Sequence, residues 1–399
     1  MLEPFLSAVP VLEKIEKAGF EAYFVGGAVR DFLLNKSISD VDIATSATPN
    51  EVKRIFPKTV DIGIEHGTVL VIYQNESYEI TTFRTESEYQ DFRRPNEVTF
   101  VRSLYEDLQR RDFTMNAIAM DRNGKLIDPF NGQSAIQERK IQTVGQATER
   151  FREDALRMMR AVRFVSQLGF DLEGETVKAL AILVPLLDKI AIERKRSEFE
   201  KLLKGKNRKQ ALNLLIKTGL FSFLPGLKNQ KNPLEDMQVY DFDELKKNEM
   251  WALLLYALTL KEKAVEDFLR NWRLPVKEIR DIQQIFLYLL KRLNQEWTLY
   301  DLYVAGHDTI KSVEIMFQVI KGTKKNEAIT RWLKLYEQLP IKERSEMNVT
   351  GNDLMTWFDR KGGPWLKEQL VKIEKSILEE KVVNDNSKIK EWLMECNQK

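Results

Sequence analysis

The stretch Gly26-Gly27-Ala28-Val29-Arg30-Asp31, followed a short way downstream by Asp40-Val41-Asp42, decides how this chain is read. Ahead of it, Ala22-Tyr23-Phe24-Val25 is apolar and β-prone and predicts a strand running into the glycines. Residues 28–34 have helical character, with Val29, Phe32 and Leu33 available to pack. Glycines at a strand-to-helix turn let backbone N–H groups approach phosphate oxygens, and the helix N-terminus adds a favourable field. Arg30 is placed to reach the same phosphates. Asp40 and Asp42 are two apart, so on a strand their side chains share a face. Two such carboxylates suit Mg²⁺, which activates a 3′-hydroxyl and binds a leaving pyrophosphate. Alone, a Gly-Gly pair marks a turn and an Asp-x-Asp a solvated strand end. In this order they predict a nucleotidyl-transfer site, with Gly26, Gly27 and Arg30 on the nucleotide and Asp40 and Asp42 as catalytic metal ligands.

Composition sets bounds on that reading. With 399 residues and 43% hydrophobic content, the chain can build more than one core. Lys and Arg number 62 against 60 Asp and Glu, so a nucleic-acid partner would need local basic surface rather than net charge. Residues 189–209 carry nine Lys/Arg against three Glu and are the densest such surface. The single cysteine, Cys396, precludes an internal disulfide and fits a reducing compartment. No apolar run approaches ~18 residues and no basic-apolar leader is visible, which predicts a cytoplasmic protein that makes no membrane contact. Only His66 and His307 are histidines, which argues against a His-rich metal site and Ser-His-Asp chemistry. His307-Asp308 lacks the further histidines of a phosphohydrolase site and reads as a loop or helix end.

The predicted fold class is α+β: a mixed sheet with helices over the first ~145 residues, then helix after helix. Thr48-Pro49-Asn50-Glu51 is a capping box with proline at the first helical position. Residues 68–73 and 78–83 read as two strands joined by a turn at Gln74-Asn75-Glu76-Ser77. Glu79, Thr81 and Phe83 then share a face, and beside Asp40 and Asp42 that face makes Glu79 a third catalytic carboxylate. Residues 85–96, charged and without apolar periodicity, are expected to form a mobile loop. All seven tryptophans lie at or after Trp251, which points to separate packing units.

Two further motifs concern the nucleotide. In Arg110-Arg111-Asp112-Phe113-Thr114-Met115-Asn116-Ala117, Arg111 can hold phosphate and Asp112 can accept from ribose hydroxyls. In Glu153-Asp154-Ala155-Leu156-Arg157-Met158-Met159-Arg160-Ala161-Val162-Arg163, a continuous helix places Asp154 and Arg157 on one face. A carboxylate accepts from an exocyclic amine and a guanidinium donates to a ring nitrogen, the pattern of cytosine and adenine and the reverse of uracil and guanine. One Asp/Arg pair thereby admits C and A without a template. The competing reading is an i,i+3 salt bridge, which the surplus of arginines over Glu153 weakens. Arg160 and Arg163 are expected on phosphates or bracing Asp154.

The wording GGAVRD…DVD resembles the head of the DNA polymerase beta nucleotidyltransferase superfamily, in its class II branch of tRNA nucleotidyltransferases and poly(A) polymerases. RRDFTxNA, the DPFNG turn at residues 128–132, EDxxR and the stretch at 192–203 are similar to that branch in the same order, over the first ~205 residues. Asn348-Val349-Thr350-Gly351-Asn352-Asp353-Leu354-Met355 and Gly362-Gly363-Pro364-Trp365-Leu366 resemble the tail of Bacillus-type CCA-adding enzymes. The resemblance implies a head (1–147), a neck of nucleotide-selecting helices (148–210), a helical body (211–320) and a tRNA-binding tail (321–399). It implies template-independent addition of CCA to tRNA from CTP and ATP with Mg²⁺, Asp154 and Arg157 standing in for a template. A homodimer stays open. The alternatives are a bacterial poly(A) polymerase, whose Gly-Arg-Arg-Phe element has no counterpart at residues 62–69, a CC-adding enzyme with a shortened loop, and an inactive RNA-binding module.

Overall fold

The computed structural model describes residues 2–86, 89–90, 94–95, 98–323 and 326–397. The chain divides into two units, Met1–Asn232 and Pro233–Lys399. The first opens with α1 (Phe5–Lys17), which buries Phe5, Ala8, Val11, Leu12 and Ile15 at helical spacing. β1 (Ala22–Val25) runs into Gly26 at φ 72°, a left-handed-region angle that glycine adopts without strain, and α2 (Gly27–Leu33) starts at once. β2 is Asp42–Thr45, so Asp40 lies in the segment leading into the strand rather than on it. α3 (Pro49–Ile55) carries the expected capping box, with Thr48 and Glu51 bonded reciprocally.

β3 (Thr59–Gly63), β4 (Thr68–Tyr73) and β5 (Glu76–Thr82) follow. The β4–β5 turn is tighter than the sequence suggested: Gln74 and Asn75 both take positive φ, and Glu76 and Ser77 belong to the strand. Glu79 and Thr81 do lie on the open side of β5, whereas Phe83 falls beyond the strand and is fully buried in the core.

Residues 84–100, expected as a loop, pair in part. β6 (Arg84–Glu86) is antiparallel to β9 (Val98–Phe100), and β7 (Tyr89–Gln90) to β8 (Arg94–Pro95). Ladder bonds come from the backbone, so charged side chains did not prevent pairing, and Thr85, Val98, Thr99 and Phe100 are β-prone. Residues 87–88, 91–93 and 96–97 of the expected loop lie outside the described residues. α4 (Leu104–Gln109), β10 (Ala119–Met120), β11 (Leu126–Ile127) and α5 (Gly132–Gln137) complete the mixed region. The seven-stranded sheet has the order β11-β10-β1-β2-β5-β4-β3, with β2 and β5 parallel and the other pairs antiparallel. Val25 pairs with Asp42 and Asp42 with Glu79, which sets the glycine turn and both carboxylates in one row.

The first unit closes with α6 (Ala147–Glu153), α7 (Leu156–Leu168), α8 (Gly174–Leu183), α9 (Ile192–Lys204) and α10 (Arg208–Lys217). α7 is buried nearly all round, Arg157 and Arg163 included. A Cβ at Gly205 would overlap the hydroxyl and carbonyl of Ser166, so only glycine allows α9 to close onto α7 here. That approach, reinforced by Ser166 Oγ donating to the Leu202 carbonyl at 2.6 Å, turns the first half of α9 toward the arginines of α7.

α11 (Lys231–Met237) spans the boundary between units. The second unit is built from α12 (Lys247–Ala257), α13 (Lys263–Asn271), α14 (Val276–Asn294), α15 (Leu299–Lys321), α16 (Asn326–Glu337), α17 (Gly351–Phe358), α18 (Pro364–Leu378) and α19 (Asn386–Asn397). Trp251 and Trp272 meet edge-on in its core, 5.1 Å apart. Glu314, fully buried, accepts from Arg292 Nε at 2.6 Å and Trp297 Nε1 at 2.7 Å. Gly306 kinks α15 at φ 75°, and His307 and Asp308 sit just past that kink, inside the helix and bonded to each other. Among the described residues no helix is long and apolar enough to cross a membrane.

Candidate active site

The glycine turn, Asp42 and the arginines of four motifs line one cleft of about 870 Å³ in the first unit, whereas Asp40 and Glu79 are not among its lining residues. At its floor a Cβ on Gly26 would come 3.3 Å from Arg111 Nη1 and 3.6 Å from Asp42 Oδ2, so the bare backbone leaves the floor open. Asp42 is set low in the cleft. Its partial burial, then the Glu79 carboxylate beside it, raise its carboxyl above the ordinary range, with Arg111 opposing and Asp40 adding to the rise. Excess negative charge on hard oxygen donors fits a divalent cation such as Mg²⁺. Among the described residues no three His, Cys, Asp or Glu side chains form a ready-made metal cluster. Mg²⁺ is commonly held by one or two carboxylates together with substrate phosphates, and that needs no such cluster.

The phosphate side is ordered by internal acids. Asp107, fully buried, accepts from Arg110 Nη2 at 2.7 Å and Arg111 Nη2 at 3.0 Å, and faces the Arg84 backbone N–H. Burial alone would raise its carboxyl, but the Arg111 and Arg110 charges outweigh burial and hold it below the ordinary range. Arg30 lines the cleft with its guanidinium already engaged: it grips Asp31 at 3.0 Å and donates to Asn116 Oδ1 at 2.7 Å. Asn116 in turn donates to Asp112 Oδ1 at 3.1 Å, and Arg160 bonds Asp112 Oδ2 through Nε at 2.7 Å. Burial opposes ionisation of Asp112, yet Arg160 and the Asn116 bond pull its carboxyl down to about 2. Asp112 is thus committed to Arg160, Asn116 and the Phe113 N–H in this structure, rather than held ready for a ribose.

The base-reading pair departs from the sequence expectation in its local structure. Asp154 is extended, at φ −135° and ψ 104°, and breaks the helix between α6 and α7, so Asp154 and Arg157 are not an i,i+3 pair on one continuous helix. Asp154 instead caps α7, accepting the Leu156 N–H at 3.0 Å, and its other oxygen is held by Arg194 of α9 at 2.7 Å. Arg157 bonds the Arg150 carbonyl at 3.1 Å, the Arg110 carbonyl at 3.0 Å and Glu153. Both side chains still reach the cleft. Arg160 and Arg163 do not brace Asp154; they pair with Asp112 and with Glu198 of α9 respectively, the latter at 3.0 Å. Burial, then the like charge of Arg160, lower the Arg163 guanidinium to about 10. Phe164 lies beneath three of these cations, with Arg163 4.0 Å, Arg30 5.3 Å and Arg160 5.6 Å from its ring centre.

Four residues escaped the sequence reading: Asp107, Asn116, Arg194 and Glu198. Asp107 carried a usable signal, since it stands three and four residues before Arg110 and Arg111. Glu198 and Arg194 entered only as part of the stretch at 192–203, and their particular partners, Arg163 and Asp154, are remote in sequence.

A mixed sheet presenting a glycine turn and the Asp42 carboxylate to an arginine-lined cleft defines a nucleotidyltransferase. Comparison with known proteins places it more narrowly. Residues 22–142 match the poly A polymerase head domain, 169–231 the RNA and SrmB-binding site of polymerase A, and 230–393 the tRNA nucleotidyltransferase domain 2. The CCA-adding enzyme of Geobacillus sp. (strain WCH70) is 50% identical over 400 residues, covering 100% of this chain and 98% of that one. That of Bacillus cereus (strain Q1) is 50% identical over 397 residues, covering 99% and 100%. The crystal structure of the Bacillus stearothermophilus CCA-adding enzyme in complex with CTP superposes with a TM-score of 0.91 at 45% identity, covering 100% and 98%. The chain belongs to the CCA-adding enzyme family.

Proposed function

We propose that this chain adds cytidine, cytidine and adenosine to the 3′ end of tRNA from CTP and ATP, releasing pyrophosphate, without a nucleic-acid template. The observation that carries the reading is that Asp42, Asp154 and Arg157 line one and the same cleft. An NTP laid along it has its α-phosphate by the glycine turn and its base by α7. Gly26 and Gly27 leave room for phosphate oxygens, and Arg111 and Arg110, oriented by Asp107, neutralise the triphosphate. Arg30 and Arg160 hold Asn116 and Asp112 in place along the cleft wall. Asp154 accepts from the amine of cytosine or adenine and Arg157 donates to the adjacent ring nitrogen.

Asp40 and Asp42, with Glu79 beside them, are the residues that hold Mg²⁺ in this reading. Bound there, Mg²⁺ supplies Lewis-acid stabilisation of the attacking and leaving oxygens. The four-part division into residues 1–147, 148–210, 211–320 and 321–399 is kept as the working layout, with the helical second unit holding tRNA by shape and backbone. A cytoplasmic location follows from tRNA as the substrate.

The test is incorporation of labelled CTP and ATP onto a tRNA lacking CCA, with products resolved at single-nucleotide length. Three additions ending in A are expected. Long A tails, a stop at CC, or no incorporation would each replace the reading with a named alternative.

A further inference from the structure

Three guanidiniums of the cleft gather around one aromatic ring. Phe164 lines the cleft and is itself buried, with Arg163 nearest its ring centre at 4.0 Å and Arg30 and Arg160 farther out. Two of these cations have firm polar anchors. Arg30 is forked onto Asp31 and bonded to Asn116, and Arg160 donates to Asp112 through Nε at 2.7 Å. Arg163 differs. Its Nε stands 3.0 Å from Glu198 Oε2, yet both atoms lack a hydrogen bond, so the pair is an ion contact without a directed bond. Among the described residues no hydrogen bond holds the Arg163 guanidinium. What lies flush against it is the Phe164 ring.

Core packing sets the plane of that ring. Phe113, fully buried, meets Phe164 edge-on with ring centres 5.7 Å apart and planes at 85°. Arg160 stands four residues before Phe164 on α7, so the two share a face of the helix, and Arg30 arrives from α2. Burial and the like charge of Arg160 work against the Arg163 cation. A further carboxylate would offset that charge but would repel a triphosphate in the same cleft. An aromatic face attracts a guanidinium through its quadrupole and adds no net charge. Resting on the reading above, we propose that Phe164 is a positioning residue for nucleotide binding, its ring face holding the Arg163 guanidinium where the terminal nitrogens meet the triphosphate. The contribution goes to phosphates, which CTP and ATP share, and leaves base choice to Asp154 and Arg157.

The test places mono-, di- and trifluorinated phenylalanine at position 164 of the full-length protein. Fluorine withdraws charge from the ring face and nearly keeps its shape, so packing is preserved while the attraction for a cation is graded. The Kd for CTP and for ATP, measured without tRNA, should rise stepwise to about tenfold with the trifluorinated ring, the scale of a desolvated cation–π contact. The ratio of the CTP and UTP Kd values should stay within twofold. In an Arg163→Gln background the same series should span less than twofold, because the cation that the ring serves is gone. A flat series with Arg163 present would reduce Phe164 to core packing and overturn the proposal. An equal rise in both backgrounds, or a changed CTP to UTP ratio, would overturn it as well. Graded CTP binding by a protein that fails to extend tRNA supports the positioning role and counts instead against the proposed function.

Discussion

Arg194→Ala isolates how Asp154 is aimed. Asp154 has two protein partners in the cleft wall, the Leu156 N–H at 3.0 Å and Arg194 at 2.7 Å. Removing Arg194 leaves one oxygen held and lets the carboxylate rotate about it. A hydrogen bond to a charged group contributes ~1.5–3 kcal/mol. The two side chains are 27% and 17% exposed, so water takes up part of the loss and the lower figure applies. About 1.5 kcal/mol is roughly tenfold in an equilibrium or rate. The preference for CTP over UTP, measured as a ratio of kcat/KM in single additions, should fall about tenfold, and ATP over GTP should fall alongside it. Arg194→Lys, which keeps the charge, should recover part of the ratio. KM for tRNA should move less than twofold. If kcat falls equally for all four nucleotides and the ratios hold, Arg194 only stiffens the helix pair and the reasoning fails.

The remaining predictions address the carboxylates, pH and the segment between β6 and β9. Asp40→Ala and Asp42→Ala should each abolish addition of every nucleotide while tRNA binding, followed by gel shift, persists; full activity with Mg²⁺ in either variant would remove them from the chemistry. Asp112 has a carboxyl at about 2 against an ordinary 3.8, so its contribution is fully present above the ordinary value and disappears as pH falls through the lower one. That difference is worth about 2.5 kcal/mol. In urea unfolding, the wild-type advantage over Asp112→Asn should therefore shrink between pH 5 and pH 2.5, and a constant gap would contradict the burial and pairing described. Deleting residues 87–97 should leave two C additions and stop the product at CC, whereas terminal A added at the normal rate would exclude that segment as the switch between bases.

Local signals in the sequence proved readable and long-range partners did not. The strand into Gly26, the capping box at Thr48 and the paired strands around Gln74 each depend on neighbours a few residues away. Glu79 was placed beside Asp42 because alternation fixes which side of a strand a residue faces, and the parallel pairing of β2 with β5 then aligned the two. The break at Asp154 was invisible, since Glu153-Asp154-Ala155-Leu156-Arg157 contains no glycine or proline and scans as unbroken helix. The surplus of arginines on α7 reads in the sequence as unpaired because their acids, Asp112 and Glu198, stand on other elements. Residues 85–86, 89–90 and 94–95, expected as loop, pair in two separate two-stranded sheets because side-chain polarity says little about backbone pairing.

The contacts running Asp31, Arg30, Asn116, Asp112, Arg160 cross from the glycine helix to α7 through side chains contributed by three distant stretches of chain. The catalytic sheet is accordingly not a portable cassette. A fragment ending near residue 147 would retain every glycine and carboxylate of the reaction, yet it would leave Asp112 without its Arg160 partner and uncover Phe113 where Phe164 now packs against it. Exchanging α7 through α9 between relatives carries the same obligation, because incoming helices must supply a guanidinium that Asp112 can accept. Substrate choice and the integrity of the sheet are therefore inherited together, and a lineage that alters one has to repair the other.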